Sequence, residues 1–281
     1  MRVSTIVALF VAICVSASAD QGRVEIGPAD TFPIVIDEPG SYVLTADLHV
    51  TTVATNAIEI AVNDVDLDLG GHVIRGPGPG SPDQAFGIWA PSRSGCSIRN
   101  GSITEIYRGI YIGSSAAAGF IGGNRLSNLT VSDCSGSAVQ IRGGTARDIV
   151  VFNAGITNPS FYAFEADNSS LSNVTVRSSS RGMNLVRGTA ENCLAENNDG
   201  TGITAESMTM SGCAAIGNGE NGFGVIGGTV LSSCIAIDND GVGIYLLSGS
   251  NNNVINCTGS DNGANIVGCG DGNGCHQNYL P

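Results

Sequence analysis

The sequence predicts an all-β solenoid, and three observations carry that prediction. Four cysteines, Cys193, Cys213, Cys234 and Cys257, recur 20, 21 and 23 residues apart, each followed five residues later by Asn198, Asn218, Asn239 and Asn262. A Gly-apolar pair returns nine residues after the first three, as Gly202-Ile203, Gly222-Phe223 and Gly243-Ile244, with Asn265-Ile266 in the corresponding place of the fourth. Within each slot apolar residues alternate, as in Ile110-Tyr111-Ile112 and Val174-Thr175-Val176, which is the two-residue period of a strand. Short strands and Gly/Asn turns at a period near 20, with no helical stretch between them, describe coils that each stack on the last.

The frame extends backwards along the chain. The Gly-Ile slot reads Ala57-Ile58, Gly87-Ile88, Gly109-Ile110, Ala138-Val139, Ala163-Phe164 and Gly182-Met183, while the cysteine slot reads Val174, Ile149 and Leu129, then Cys96 and Val65. Three further stretches stand out: Pro39-Gly40-Ser41-Tyr42-Val43-Leu44, Val65-Asp66-Leu67-Asp68-Leu69-Gly70-Gly71-His72-Val73-Ile74, and Ile98-Arg99-Asn100-Gly101. On these residues and the repeated slots, the chain from about Ile34 onward resembles the right-handed parallel β-helix proteins of the pectate-lyase-like superfamily. The resemblance implies an all-β, single-stranded right-handed parallel β-helix of about ten coils of roughly 20 residues each.

Taken in order, residues 1–19 read as a secretory signal: Arg2, an apolar run from Ile6 to Val15, and Ala17-Ser18-Ala19 before Asp20. The run is too short to span a bilayer, and no other stretch reaches about 20 apolar residues. The mature chain is therefore expected to be secreted or periplasmic, with residues 20–42 as an N-terminal cap and 43–281 as one β-helix ending in a Cys269–Cys275 loop. There is no lysine, and removal of Arg2 with the signal leaves 11 arginines against 25 acids, a net charge of about −14. That balance argues against nucleic acid and anionic membranes as partners. Arg187 is the last arginine and nine acids follow it, so an acidic polysaccharide would be bound in the N-terminal half.

Loss of Cys14 with the signal leaves eight cysteines, an even number that ordinarily suggests disulfides. Stacked strands hold equivalent residues about 4.8 Å apart with parallel side chains, whereas a disulfide needs Cβ atoms about 3.8 Å apart. The repeated cysteines are thus expected to be reduced and to fill the core, and Cys269 and Cys275, bracketing a five-residue loop, to form a disulfide. The repeated asparagines are expected to form an internal ladder at left-handed turns. Asp199, Glu220 and Asp240 recur near those turns and leave calcium open as a cofactor, although turn chemistry alone accounts for them. His72 reads as a structural residue of its coil, and His49 and His276 have no partner at metal-ligand spacing. Sequons begin at Asn100, Asn128, Asn168, Asn173 and Asn256.

In the resembled family the substrate groove follows the sheet made by the Gly-Ile strands. Residues facing outward there read Glu59, Trp89, Tyr111, Gln140, Glu165, Asn184, Thr204, Gly224 and Tyr245, with a second row Arg142, Asp167, Val186 and Glu206 beside it. Polar and aromatic residues concentrate from Trp89 to Asn184, under the longest loops. The candidate binding patch is Trp89, Tyr107, Arg108, Tyr111, Gln140, Tyr162 and Arg181, whose rings suit sugar faces and whose arginines suit uronate carboxylates. For elimination or epimerisation Tyr111 or Arg142 would be the base; for hydrolysis Glu165 with Asp167 or Glu59 would supply the carboxylate pair. Arg142 and Asp167 also read as a plain surface ion pair. None of the catalytic motifs of polygalacturonases, pectate lyases or alginate epimerases is present, so enzyme, glycan-binding module and structural or adhesive solenoid remain open. A stripe of outward apolar residues after the cysteine slot, Val150, Phe152, Leu194, Ala214, Ile216, Ile235 and Ile237, raises self-association through that face as a further expectation.

Overall fold

The computed structural model describes residues 22–78, 85–114, 122–247, 251–270 and 272–279. Residues 1–19, read above as a secretory signal, lie outside the described residues, as do parts of the loops 75–86 and 113–125. Among the described residues every regular element is a strand, and the chain winds as a right-handed parallel β-solenoid of about 11 turns.

Three parallel sheets run along the solenoid. The first is built from the Gly-Ile strands, including Ile34–Ile36, Ile58–Ile60, Phe86–Pro91, Arg108–Gly113, Val139–Arg142, Phe223–Ile226, Val242–Leu246 and Ala264–Val267. The second takes in Gly40–Leu44, Val65–Asp68 and Val230–Ser232, and the third Val73–Arg75, Leu194–Glu196, Ala214–Ile216, Ile235–Ile237 and Thr258–Ser260. The 14-residue strand Phe164–Arg177 turns two corners and serves all three. Corners need a backbone that reverses locally, and residues at φ near +50 to +60° supply it: Asn168, Arg187 and Ser207 between first and second sheets, Asn128, Asn173 and Asn192 between second and third, and Asn153, Asn197 and Asp238 after the third. The five sequons begin at five such corner asparagines.

Alternation carries one side of each strand inward. Ile58, Ile88, Ile110, Val139, Phe164, Met183, Ile203, Phe223 and Ile244 stack down the interior of the first sheet, each at most 1% exposed, and full burial of such a side chain is worth about 1.5–3 kcal/mol. The glycine before the inward residue has a steric reason: a Cβ on Gly182 would lie 1.9 Å from the Gly202 carbonyl oxygen.

The structure refines the sequence reading in three places. The eleventh turn comes from Ile34–Ile36, which pairs in register with Ile58–Ile60, inside the segment read as a cap. The cysteine slot extends back through Val174, Ile149 and Leu129 as expected, but then to Gly101 and not to Cys96. Cys96 and Val65 stack instead in the row of Asn124 and Gly144, one corner earlier in the coil. Both rows begin with a left-handed corner followed by a buried residue, Gly95-Cys96 in one and Asn192-Cys193 in the other, so the local pattern does not tell them apart. Finally, the left-handed residue is the one before each ladder asparagine (Asn197, Gly217, Asp238, Asp261), not the asparagine itself.

The repeated thiols are free and buried, together with Cys96 and Cys134, and Cys269 is bonded to Cys275. Hydrogen bonding to the adjoining thiol, reinforced by burial, pushes Cys213 and Cys234 up to about 12, so both stay protonated at neutral pH. Beside them Asn198, Asn218, Asn239 and Asn262 form a continuous amide ladder, each Nδ2 donating to the next Oδ1 at 2.8–2.9 Å. A second ladder was not anticipated: Thr229 N donates to Asn252 Oδ1 at 2.9 Å and Asn252 N to Asn273 Oδ1 at 2.8 Å, on the opposite wall of the late coils.

Candidate functional site

The register of the first sheet aligns the outward residues in one continuous row: Glu59, Trp89, Tyr111, Gln140, Glu165, Asn184, Thr204, Gly224 and Tyr245 are successive partners on neighbouring strands. Strand spacing near 4.8 Å brings adjacent rings into contact. The Trp89 and Tyr111 ring centroids are 4.7 Å apart and those of Phe86 and Trp89 4.3 Å, with Phe86 edge-on to Tyr111 at 6.1 Å. Next in the row, Gln140 is 8% exposed and its Oε1 has no partner among the described residues. A desolvated acceptor without a donor is costly, and because this oxygen is itself buried, a ligand hydroxyl would reach it only after a neighbouring side chain moves aside.

The loops leading into the strands supply the rim. Arg108 lies over three rings, Phe161 at 4.9 Å and Phe86 and Tyr107 at 5.5 Å, contacts that fix a guanidinium through its faces and leave its edge for polar partners. Arg181 lies over Tyr162 at 5.4 Å. The Tyr162 hydroxyl is 3.0 Å from Thr204 Oγ1; because Thr204 belongs to the second strand beyond the one Tyr162 leads into, the side chain reaches across the Asn184 coil and bars the groove there.

The carboxylates sit between these features. Ser137 Oγ donates to Glu165 Oε1 at 2.7 Å. Asp167 accepts two bonds from Arg187 Nη2 at 2.6 and 2.7 Å and lies 4.0 Å from Arg142 Nη1. Arg142, Glu165, Asp167, Asn184 and Val186 line a cleft of about 140 Å³. The strands of the sheet thus carry Glu59, Trp89, Arg108, Tyr111, Gln140, Arg142, Glu165 and Asp167 along one wall, with Tyr162 and Arg181 on the loops that enter it and Tyr107 held beneath Arg108. Sequence reading missed Phe86, Phe161, Ser137 and Arg187. Only Arg187 left a signal, since it follows Val186, the register partner of Asp167. Asp199, Glu220 and Asp240 lie outside this site; Glu220 Oε2 accepts from Thr201 at 2.9 Å, and the described residues contain no group of three or more His, Cys, Asp or Glu side chains able to hold a metal ion.

On the third sheet the outward apolar row is shorter than expected. Register places Thr175 between Val150 and Leu194, and Arg177 and Glu196 between Phe152 and Ile216; Arg177 also covers the Phe152 ring at 5.7 Å. What remains contiguous is Leu194, Ala214 and Ile235 beside Ile216 and Ile237.

The profile of a family described as right handed beta helix region matches residues 83–279. No curated protein matches the sequence. Among solved structures, the Azotobacter vinelandii mannuronan C-5 epimerase AlgE4 A-module superposes with a TM-score of 0.67 at 14% identity, covering 86% of this chain and 87% of that one. The AlgE6 A-module from the same organism gives 0.51 at 14% identity over 86% and 91% of the two chains. The Dettilon tailspike protein gives 0.57 at 16% identity over 92% of this chain and 61% of its own. At such identities the likeness is one of fold. No described helix is long and apolar enough to cross a membrane.

Proposed function

We propose that this chain, a member of the right-handed β-helix family, is an exported protein that binds a polysaccharide along the first sheet between Trp89 and Asn184. The observation that carries this reading is the in-register pair Trp89 and Tyr111, their rings 4.7 Å apart and tilted by 36°, next to the polar side chain of Gln140. Flat rings receive the apolar face of a sugar and polar edges take its hydroxyls; a repeat of about 4.8 Å along the groove suits a chain molecule better than a compact one. Two of the proteins sharing the fold carry a mannuronan epimerase name, which supports a glycan ligand. Export is supported by the leader read at 1–19.

The test uses the single tryptophan, whose emission reports on this groove alone. Titration with a panel of neutral and acidic oligosaccharides should change Trp89 fluorescence saturably for one class, and Tyr111→Ala should weaken that response at least tenfold. A panel that leaves the emission unchanged defeats the reading.

Turnover at the same site is favoured by one feature, the cleft of Arg142, Glu165, Asp167 and Asn184 at the end of the aromatic row. In it Glu165 and Asp167 already accept hydrogen bonds from Ser137 and Arg187, so a substrate must displace or share these donors before either carboxylate takes part. Appearance of unsaturated-uronate absorbance, or of new reducing ends, with loss on Glu165→Gln, would establish it.

A further inference from the structure

A trough of about 630 Å³ lies on the second sheet and not over the candidate groove. Its floor is made by outward residues of five successive coils: Ser97 and Arg99, Arg125 and Ser127, Thr145 and Arg147, Ser170 and Ser172, Thr189 and Glu191. At its centre register pairs Arg125 with Thr145 and Ser127 with Arg147. Two guanidiniums therefore stand at opposite corners of a square, with hydroxyls at the other two. Strand spacing and the two-residue step put the diagonal at roughly 8 Å between Cα atoms.

The two arginines differ from their neighbours in one respect. Arg99 is bound by Asp66 and Asp68, Arg75 by Glu105 and Arg187 by Asp167, whereas Arg125 and Arg147 have no carboxylate within ion-pair distance among the described residues. The nearby Asp148 accepts from Asn173 Nδ2 at 3.0 Å, and Glu191 is two coils from Arg147 in the same row. In a chain with more than twice as many acids as bases, two adjoining uncompensated guanidiniums repel each other and form the local exception to a repulsive field.

We infer that this square is a second binding site, for an oxyanion such as a carboxylate or sulfate, held by both guanidiniums and by the Ser127 and Thr145 hydroxyls. Guanidiniums and hydroxyls are all donors on this face, and a tetrahedral or trigonal oxyanion offers acceptors to each. The anion is either free in solution or carried on an acidic glycan lying along the trough. The site is independent of Trp89 and Tyr111, which face outward from a different sheet.

The test is calorimetric titration of the full chain with inorganic sulfate, with trigalacturonate and with a neutral trisaccharide at low salt. Wild type is expected to bind sulfate or trigalacturonate and not the neutral sugar through this site, and Arg125→Gln with Arg147→Gln should weaken that binding at least tenfold with the melting temperature unchanged. Trp89→Ala with Tyr111→Ala should leave the anion response intact, which separates the two sites. Binding of sulfate alone marks a free-anion site, and stronger binding of trigalacturonate marks a glycan-borne one. As a second variant, Thr145→Glu places a resident carboxylate beside Arg125 and should abolish the response while keeping the fold. Failure of wild type to bind either anion, or binding that survives both sets of changes, overturns the inference.

Discussion

From Glu59 to Asn184 the outward row of the first sheet carries a carboxylate, two rings, an amide, a second carboxylate and a second amide; from Thr204 to Val267 the same row carries Thr204, Gly224, Tyr245 and Val267. The late coils add polar groups inside, in two hydrogen-bonded ladders and a column of thiols. Every described arginine lies in the early coils, none beyond Arg187, and most of them hold carboxylates or rings. A solenoid separates the two tasks because each coil contacts only its neighbours: a surface can vary in one stretch while another supplies regular stacking.

If the late coils are held by their internal ladder, Asn218→Ala should show the largest effect. Its Oδ1 accepts from the backbone and side chain of Asn198, and its Nδ2 donates to Ala195 O and Asn239 Oδ1, so truncation strands several buried groups at about 1–3 kcal/mol each. Chemical denaturation should register a loss of about 3 kcal/mol or more; a loss below 1 kcal/mol would mean that water replaces the amide.

The early coils should show a different sensitivity, to acid. Burial raises the Asp68 carboxyl, but the Gly70 N–H, the Asn100 amide and the Arg99 guanidinium together outweigh it and hold the group below the usual 3.8. A depressed carboxylate contributes stability that is full above the unfolded value and is lost as pH falls below about 4. Asp68→Asn should therefore destabilise by about 1–3 kcal/mol at neutral pH and flatten the fall in melting temperature between about pH 5 and 2. Equal acid slopes for the two proteins would contradict this.

The Trp89→Ala, Tyr111→Ala double variant should lose at least tenfold in glycan affinity, about 1.4 kcal/mol, with the ladder-dependent stability of the late coils untouched. The smallest effect belongs to Arg187→Gln. Its guanidinium side chain is 45% exposed, and exposed ion pairs are worth about 0–1 kcal/mol; a thermal shift larger than expected from that range would make the Arg187–Asp167 pair part of the fold and not of its surface.

The fold was legible because the solenoid repeats itself: inward and outward positions of the first sheet follow directly from the Gly-Ile slots, and every one falls in register. What escaped was anything decided at corners. Cys96 was misplaced because two corners of each coil share one local pattern, and the eleventh turn because Ile34–Ile36 lacks the Gly-Ile signature. At the site, the row from Trp89 to Asn184 could be read from alternation, while Phe161 over Arg108 and the Tyr162 bar across Asn184 depend on how long loops fold back, which no period encodes. The Arg125–Arg147 square needed the register of the second sheet, whose strands carry no repeated marker residue.

The division between a binding stretch and a scaffolding stretch is most directly tested by hydrogen–deuterium exchange with and without a saturating oligosaccharide chosen by the Trp89 titration. Protection should appear in peptides covering 86–91, 108–113 and 139–142 and be absent from 203–267. Protection spread over the late coils, or centred on them, would contradict the account.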